Sequence, residues 1–127
     1  MVPTSTGAAK AISEVIPEMK GRLDGMAIRT PTPDASLVDL SAILEREVTV
    51  EDINKALKAA ATSGPLSRTL EFCEDPIVST DVIGNPHGSI VDAELTAAQG
   101  SFVKVYSWYD NEYGFCSRMV DMMLMMM

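Results

Sequence analysis

Four residues, Thr30-Pro31-Thr32-Pro33, constrain the fold of this chain more than any other feature. Each proline removes a backbone donor and drives the residue before it out of the helical region, so the segment is extended and no helix crosses it. Gly25 to Thr30 reads as a strand running into it. Beyond it, Ala35 to Leu44 alternates cleanly. Val38, Leu40, Ala42 and Leu44 fall on one face and Asp39 and Ser41 on the other, as a half-buried strand requires.

Helical periodicity appears on both sides of this extended stretch. Thr6 is placed to cap a helix carrying Ile12, Val15, Ile16 and Met19, with Gly21 and Gly25 bracketing the turn that follows. Thr49 followed by Asp52 has the spacing of a capping box, and Ile53, Ala56, Leu57 and Ala60 give a second helix ending near Gly64-Pro65. Strand-like runs follow at Thr69 to Cys73, Ile77 to Val82 and Ser89 to Ala93, separated by Asp75-Pro76 and by Gly84 to Gly88. A last strand, Phe102 to Tyr109, leads into SWYDNEYG (Ser107 to Gly114), and a helix runs from about Glu112 to the end. Short turns between strands make an α+β fold the economical architecture: a largely antiparallel or mixed sheet with helices on one face plus a C-terminal helix. At 127 residues this is one domain, 1–127.

A formal net charge of −8 argues against nucleic acid or an anionic membrane as the main partner. Cys73 and Cys116 lie far apart without CxxC spacing, which indicates neither a disulfide framework nor a metal site, but reduced thiols in a cytoplasm. The N-terminus lacks the basic-then-apolar layout of a signal peptide, and no apolar run reaches the length of a membrane span. The tail Met119 to Met127 comes nearest; it is short, carries Asp121, and reads as a helix end that wants another protein surface.

Four places carry candidate chemistry. In TSTGAAK, Thr4 to Lys10, a hydroxyl, a glycine and two alanines stand at a helix start, where open amides and the positive end of the dipole favour an anion, although most such starts are only caps. Arg29, held on a stiff strand before the prolines, offers a fixed fork for phosphate or carboxylate; pairing with a surface carboxylate is the plainer reading. At least one of Asp110, Asn111 and Glu112 is placed to cap the last helix, but Asn111 differs in kind: it has both donor and acceptor, the pairing needed to read another primary amide, with a neighbouring tyrosine surface to flank a planar ring. His87 has no metal-spaced partner and reads as a solvent-exposed turn histidine.

Taken together, PTSTGAAKA, GMAIRTPTP, SLVDL and above all SWYDNEYGF followed by SRMVD resemble the C-terminal portion of phosphorylating glyceraldehyde-3-phosphate dehydrogenase, in the family's order over essentially the whole chain. No GxGxxG follows a strand, and no Ser-Cys-Thr-Thr-Asn-Cys segment bears a nucleophilic thiol, so the likeness is to a catalytic-domain fragment without the nucleotide-binding domain. The resemblance implies that Asn111 hydrogen-bonds the nicotinamide carboxamide, that Thr6 and Gly7 serve the site for attacking inorganic phosphate, and that Arg29 serves the substrate-phosphate site. It implies no catalytic residue and no metal ligand among these residues. It further implies glyceraldehyde 3-phosphate and phosphate as substrates, NAD (or NADP) as cofactor, a cytoplasmic enzyme of glycolysis, a homotetramer, and a nucleotide-binding half against which the last helix lies. The chain alone is then inactive. Phe115, where many members have tyrosine, leaves an erythrose 4-phosphate dehydrogenase open as an alternative, as is a non-catalytic phosphate-binding or interaction module.

Overall fold

A computed structural model describes residues 1–127, and the chain divides into two compact units, Met1–Pro33 and Asp34–Met127. The architecture is α+β, as the alternation of periods implies.

The first unit is a two-stranded antiparallel ribbon, β1 (Val2–Ser5) against β2 (Met26–Arg29), bridged by helix α1 (Ala8–Val15) and a 3-10 turn at Pro17–Met19. Strand β1 has no counterpart in the sequence reading, because its hydroxyl residues look like the approach to a cap and its partner lies more than twenty residues away. The reading of Thr6 as cap is close: its Oγ1 accepts from the Ala8 amide at 3.2 Å, while Gly7 occupies the capping position proper. No residue of this unit is buried.

In the second unit four strands form a mixed sheet in the order β3-β6-β5-β4: β3 (Ser36–Ile43), β6 (Phe102–Tyr109), β5 (Ser89–Gln99) and β4 (Leu70–Cys73). The β3–β6 and β6–β5 pairs are antiparallel and β5–β4 is parallel. Helix α2 (Val50–Thr62) packs on β4 and β5, and helix α3 (Tyr113–Met125) ends the chain. Thr49 and Asp52 form the expected capping box, Asp52 N–H donating to Thr49 Oγ1 and Thr49 N–H to Asp52 Oδ2, both at 3.1 Å.

The core is small and sits on the central strands: Ile90, Val91 and Val103, with Val82 from the loop that precedes β5. Strand β5 bulges there. Asp92 faces Tyr106 and Ala97 faces Lys104, so β5 advances five residues where β6 advances two. The buried Asp92 carboxylate holds the bulge, accepting from Trp108 Nε1 at 3.0 Å and from the Leu95 amide at 3.3 Å.

Two expectations are corrected. Ile77 to Val82 is not a strand; Ser79–Val82 is a 3-10 turn, curled because the Asp81 carboxylate accepts the Val78 amide at 2.7 Å. Strand β3 is not half-buried either: as a sheet edge it leaves Val38 and Leu40 on one side, and Leu37 and Ile43 on the other, exposed.

Candidate functional site

SWYDNEYG is the end of β6 and the start of α3, and all its side chains except those of the two tyrosines have hydrogen-bond partners. The Ser107 hydroxyl bonds the Ser89 hydroxyl across the sheet, and Trp108 is tied to Asp92. Asp110 is almost wholly buried. Its Oδ1 accepts from the amides of Glu112 at 2.9 Å and Tyr113 at 2.7 Å, and its Oδ2 accepts from the Gly84 amide at 2.8 Å. Asp110 therefore holds the turn into α3, whose capping position is Glu112, and it fastens the helix start to the turn at Gly84 to Gly88. The Gly84 amide is the largest influence holding its carboxyl below the ordinary aspartate range; burial opposes this, and the Tyr113 and Glu112 amides reinforce it.

The same turn is seated from the other side. At Gly114 a Cβ would meet the His87 carbonyl oxygen at 3.1 Å, so the glycine permits backbone to approach backbone. His87 itself is not a solvent-exposed turn residue. It is half-buried, with Nδ1 at 2.8 Å from both Asn85 Oδ1 and Glu71 Oε2, and Asn85 Nδ2 donates to Glu71 Oε2 at 2.8 Å.

Asn111 stands on top of this joint, exposed. Its Oδ1 accepts from the Ser36 hydroxyl at 3.1 Å, and its Nδ2 donates to Glu112 Oε1 at 3.4 Å. It borders an open depression of about 260 Å³ lined also by Gly88, Tyr109, Asp110, Gly114, Phe115 and Arg118. Arg118 carries no signal in sequence that assigns it there. Arg118 is oriented by Asp121, with Nη2 at 2.8 Å and Nε at 3.0 Å from Asp121 Oδ2. An amide with donor and acceptor at the surface, beside an aromatic wall and a guanidinium, can read a planar group bearing its own primary amide.

In the first unit, Thr6 and Gly7 adjoin at the start of α1, and nothing lies within 4 Å of where a Gly7 Cβ would be. Arg29 is exposed and forms no ion pair, so the expected surface carboxylate is absent. It faces Val2, whereas Ser5, the neighbour of Thr6, faces Met26. Three steps along the ribbon put the two places about 10 Å apart at the backbone, so they are two separate candidate points, not one cradle. The 500 Å³ recess of this unit, lined by residues such as Lys10, Ser13, Lys20 and Asp24, includes none of the three.

Cys73 Sγ lies 3.6 Å from the Asp75 carbonyl oxygen, Cys116 is exposed, and the single histidine is occupied by Asn85 and Glu71. No group of three or more metal-ligating side chains occurs, and no helix is long and apolar enough to cross a membrane.

Comparison with known proteins is unambiguous. Residues 1–111 match the family profile described as glyceraldehyde 3-phosphate dehydrogenase, C-terminal domain. The chain is 56% identical over 123 residues to the glyceraldehyde-3-phosphate dehydrogenase of Priestia megaterium, covering 96% of this chain and 36% of the relative. It is 52% identical over 122 residues to that of Zymomonas mobilis, covering 95% and 36%. Glyceraldehyde-3-phosphate dehydrogenase 1 of Caenorhabditis elegans is 52% identical over 123 residues, with 96% and 36% covered. The chain thus spans little more than a third of the length of these curated relatives.

Proposed function

The chain belongs to the glyceraldehyde 3-phosphate dehydrogenase family through its C-terminal domain, and from that premise we propose that it supplies the phosphate contacts and the nicotinamide-orienting amide of a phosphorylating aldehyde dehydrogenase. The reaction converts an aldehyde, NAD and inorganic phosphate into an acyl phosphate and NADH. Asn111 reads the carboxamide, which decides the ring face offered to the substrate. Thr6 and Gly7 take the attacking phosphate at the open first turn of α1, and Arg29 takes the phosphate of glyceraldehyde 3-phosphate. The observation that carries this reading is Asn111: an exposed amide on a buried, three-bonded turn.

The thiol and the base come from the remaining part of the enzyme, because the residues here pair no cysteine with the histidine. A nucleotide-binding half and a tetrameric assembly of whole subunits belong to the same proposal. The purified 127-residue chain is therefore expected to give no phosphate-dependent NADH from glyceraldehyde 3-phosphate. Turnover above background overturns this. Binding is tested separately by NMR. Nicotinamide mononucleotide is expected to move the Asn111 side-chain amide resonances, and millimolar phosphate, about −4 kcal/mol, to move those around Thr6, Gly7 and Arg29. The response near Arg29 should vanish in Arg29→Ala; an unchanged response in that variant removes Arg29 from the site.

A further inference from the structure

Asn111 sits on five residues whose geometry is set from outside the turn. Two backbone segments meet beneath it, Gly84 to Gly88 and Asp110 to Gly114. They are joined twice: by the Asp110 carboxylate on the Gly84 amide at 2.8 Å, and by the contact of Gly114 with the His87 carbonyl. The first segment is itself anchored, since Asn85 donates to Glu71 on β4 and His87 Nδ1 lies 2.8 Å from the same carboxylate oxygen.

We propose that Asp110 is a positioning residue for Asn111: by gripping the amides of Gly84, Glu112 and Tyr113 with one buried carboxylate, it fixes the peptide on either side of Asn111 and so the direction in which that amide is offered. The proposal rests on the reading of Asn111 as the carboxamide contact. A residue flanked by two free turns samples many side-chain directions, and each one lost on binding costs affinity; a turn frozen in advance removes that cost. The charge on Asp110 matters as well as its shape. Three N–H groups converge on two oxygens, and an isosteric amide has only one oxygen to give. Asp110→Asn can keep Oδ1 on Glu112 and Tyr113 and so keep the turn into α3, but its NH2 then faces the Gly84 amide, donor against donor. The depressed pKa of Asp110 agrees with a carboxylate that stays ionised in this role.

The test is NMR on the 127-residue chain, with Asp81→Asn as control. Asp81 makes a comparable bond, to the Val78 amide at 2.7 Å, at a turn that bears no candidate site residue. In Asp110→Asn, hydrogen exchange of the Gly84 amide is expected to rise at least about tenfold, and the Asn111 side-chain amide to lose order. In Asp81→Asn the Asn111 amide is expected to stay unchanged. Equal disorder of Asn111 in both variants marks a general loss of stability and overturns the proposal, as does an Asn111 side chain no less ordered in Asp110→Asn. Should Asp110→Asn not fold, acid titration replaces it. Glu112→Gln removes the one carboxylate hydrogen-bonded to the Asn111 side chain. In that variant the Asn111 side-chain resonances must move together with the Gly84 amide as Asp110 protonates, and independent movement overturns the proposal. Nicotinamide mononucleotide separates the two readings. No perturbation near Asn111 in the unchanged chain defeats the cofactor contact while leaving the positioning result to stand on its own.

Discussion

Residues 1–33 and residues 34–127 hold their candidate groups by opposite means. Thr6, Gly7 and Arg29 lie on a ribbon of two four-residue strands and an eight-residue helix, with no buried side chain. Asn111 lies beside the buried Asp110, on the unit that holds every buried residue of the chain, Ile90, Val91 and Val103 among them. A two-stranded ribbon and a helix of that length are each marginal in water, so the first unit carries its candidate groups without fixing them. A ligand taken there would have to absorb the ordering of the segment, whereas the turn beneath Asn111 is held by three bonds to Asp110.

The largest expected effect measures that contrast directly. In hydrogen exchange, the amides of β1, β2 and α1 should exchange within about tenfold of an unstructured chain, while those of Val91 and Val103 should be slowed at least about a thousandfold. Equal protection in the two units breaks the comparison and gives the first one a stability that its exposed side chains do not explain.

Next comes Asp110. Asp110→Ala leaves three amides without their charged acceptor and should destabilise the second unit by about 3 kcal/mol, read by denaturant unfolding of Trp108 fluorescence. The pH dependence has a fixed sign. The folded pKa of Asp110 is depressed, so its contribution is complete above the unfolded value near ~4 and is lost as pH falls through the folded value. The gap between the unchanged chain and the variant should therefore narrow below about pH 4. A gap that widens on acidification shows that the carboxylate is not the stabilising group.

What could be seen in the sequence follows the range of each interaction. The Thr49–Asp52 box, the strand Phe102 to Tyr109 and the last helix are local patterns, and all three are present. Strand β1 and the second half of β5 depend on partners in other strands, and Glu94 to Gln99 has no clean alternation to announce them. The run Ile77 to Val82 has strand-like composition, yet one side-chain-to-backbone bond from Asp81 decides its shape. At the site, Asp110 was visible as a possible cap because capping is local. Its grip on Gly84 and the approach of His87 to Gly114 arise only when segments some twenty-five residues apart meet.

A smaller effect is expected at Thr49, where the second unit has a helix cap with side-chain bonds in both directions, unlike Gly7 at the start of α1. Thr49→Ala should cost about 1 kcal/mol, and Gly7→Ala much less, since the glycine has no side-chain acceptor to lose. The Asp52 carboxyl is held below its ordinary range by its bonds with Thr49, backbone first and then side chain. Its titration should move upward in Thr49→Ala. Equal losses at the two positions would mean that α1 is as firmly capped as α2.

The smallest change in stability is expected where exposure is greatest. Met122, Met125 and Met126 are 65%, 86% and 82% exposed, and Met123 and Leu124 between them are also more than half exposed, so the end of α3 has no covered face. The exposed apolar residues of the ribbon, Val2, Met26 and Ile28, are by contrast few and set on short strands. A contiguous apolar surface of this kind drives association. Replacing Met122, Met125 and Met126 with glutamate changes side chains that are mostly exposed, but puts negative charge at the C-terminal end of a helix, where the dipole slightly disfavours it. The two consequences have opposite signs: the unfolding midpoint should fall slightly, while light scattering should show self-association in the unchanged chain and little in the variant. A large loss of stability would instead mean that the methionines pack within the chain. A clean monomer before and after substitution would mean that exposed area at this helix end is too small to hold two copies together.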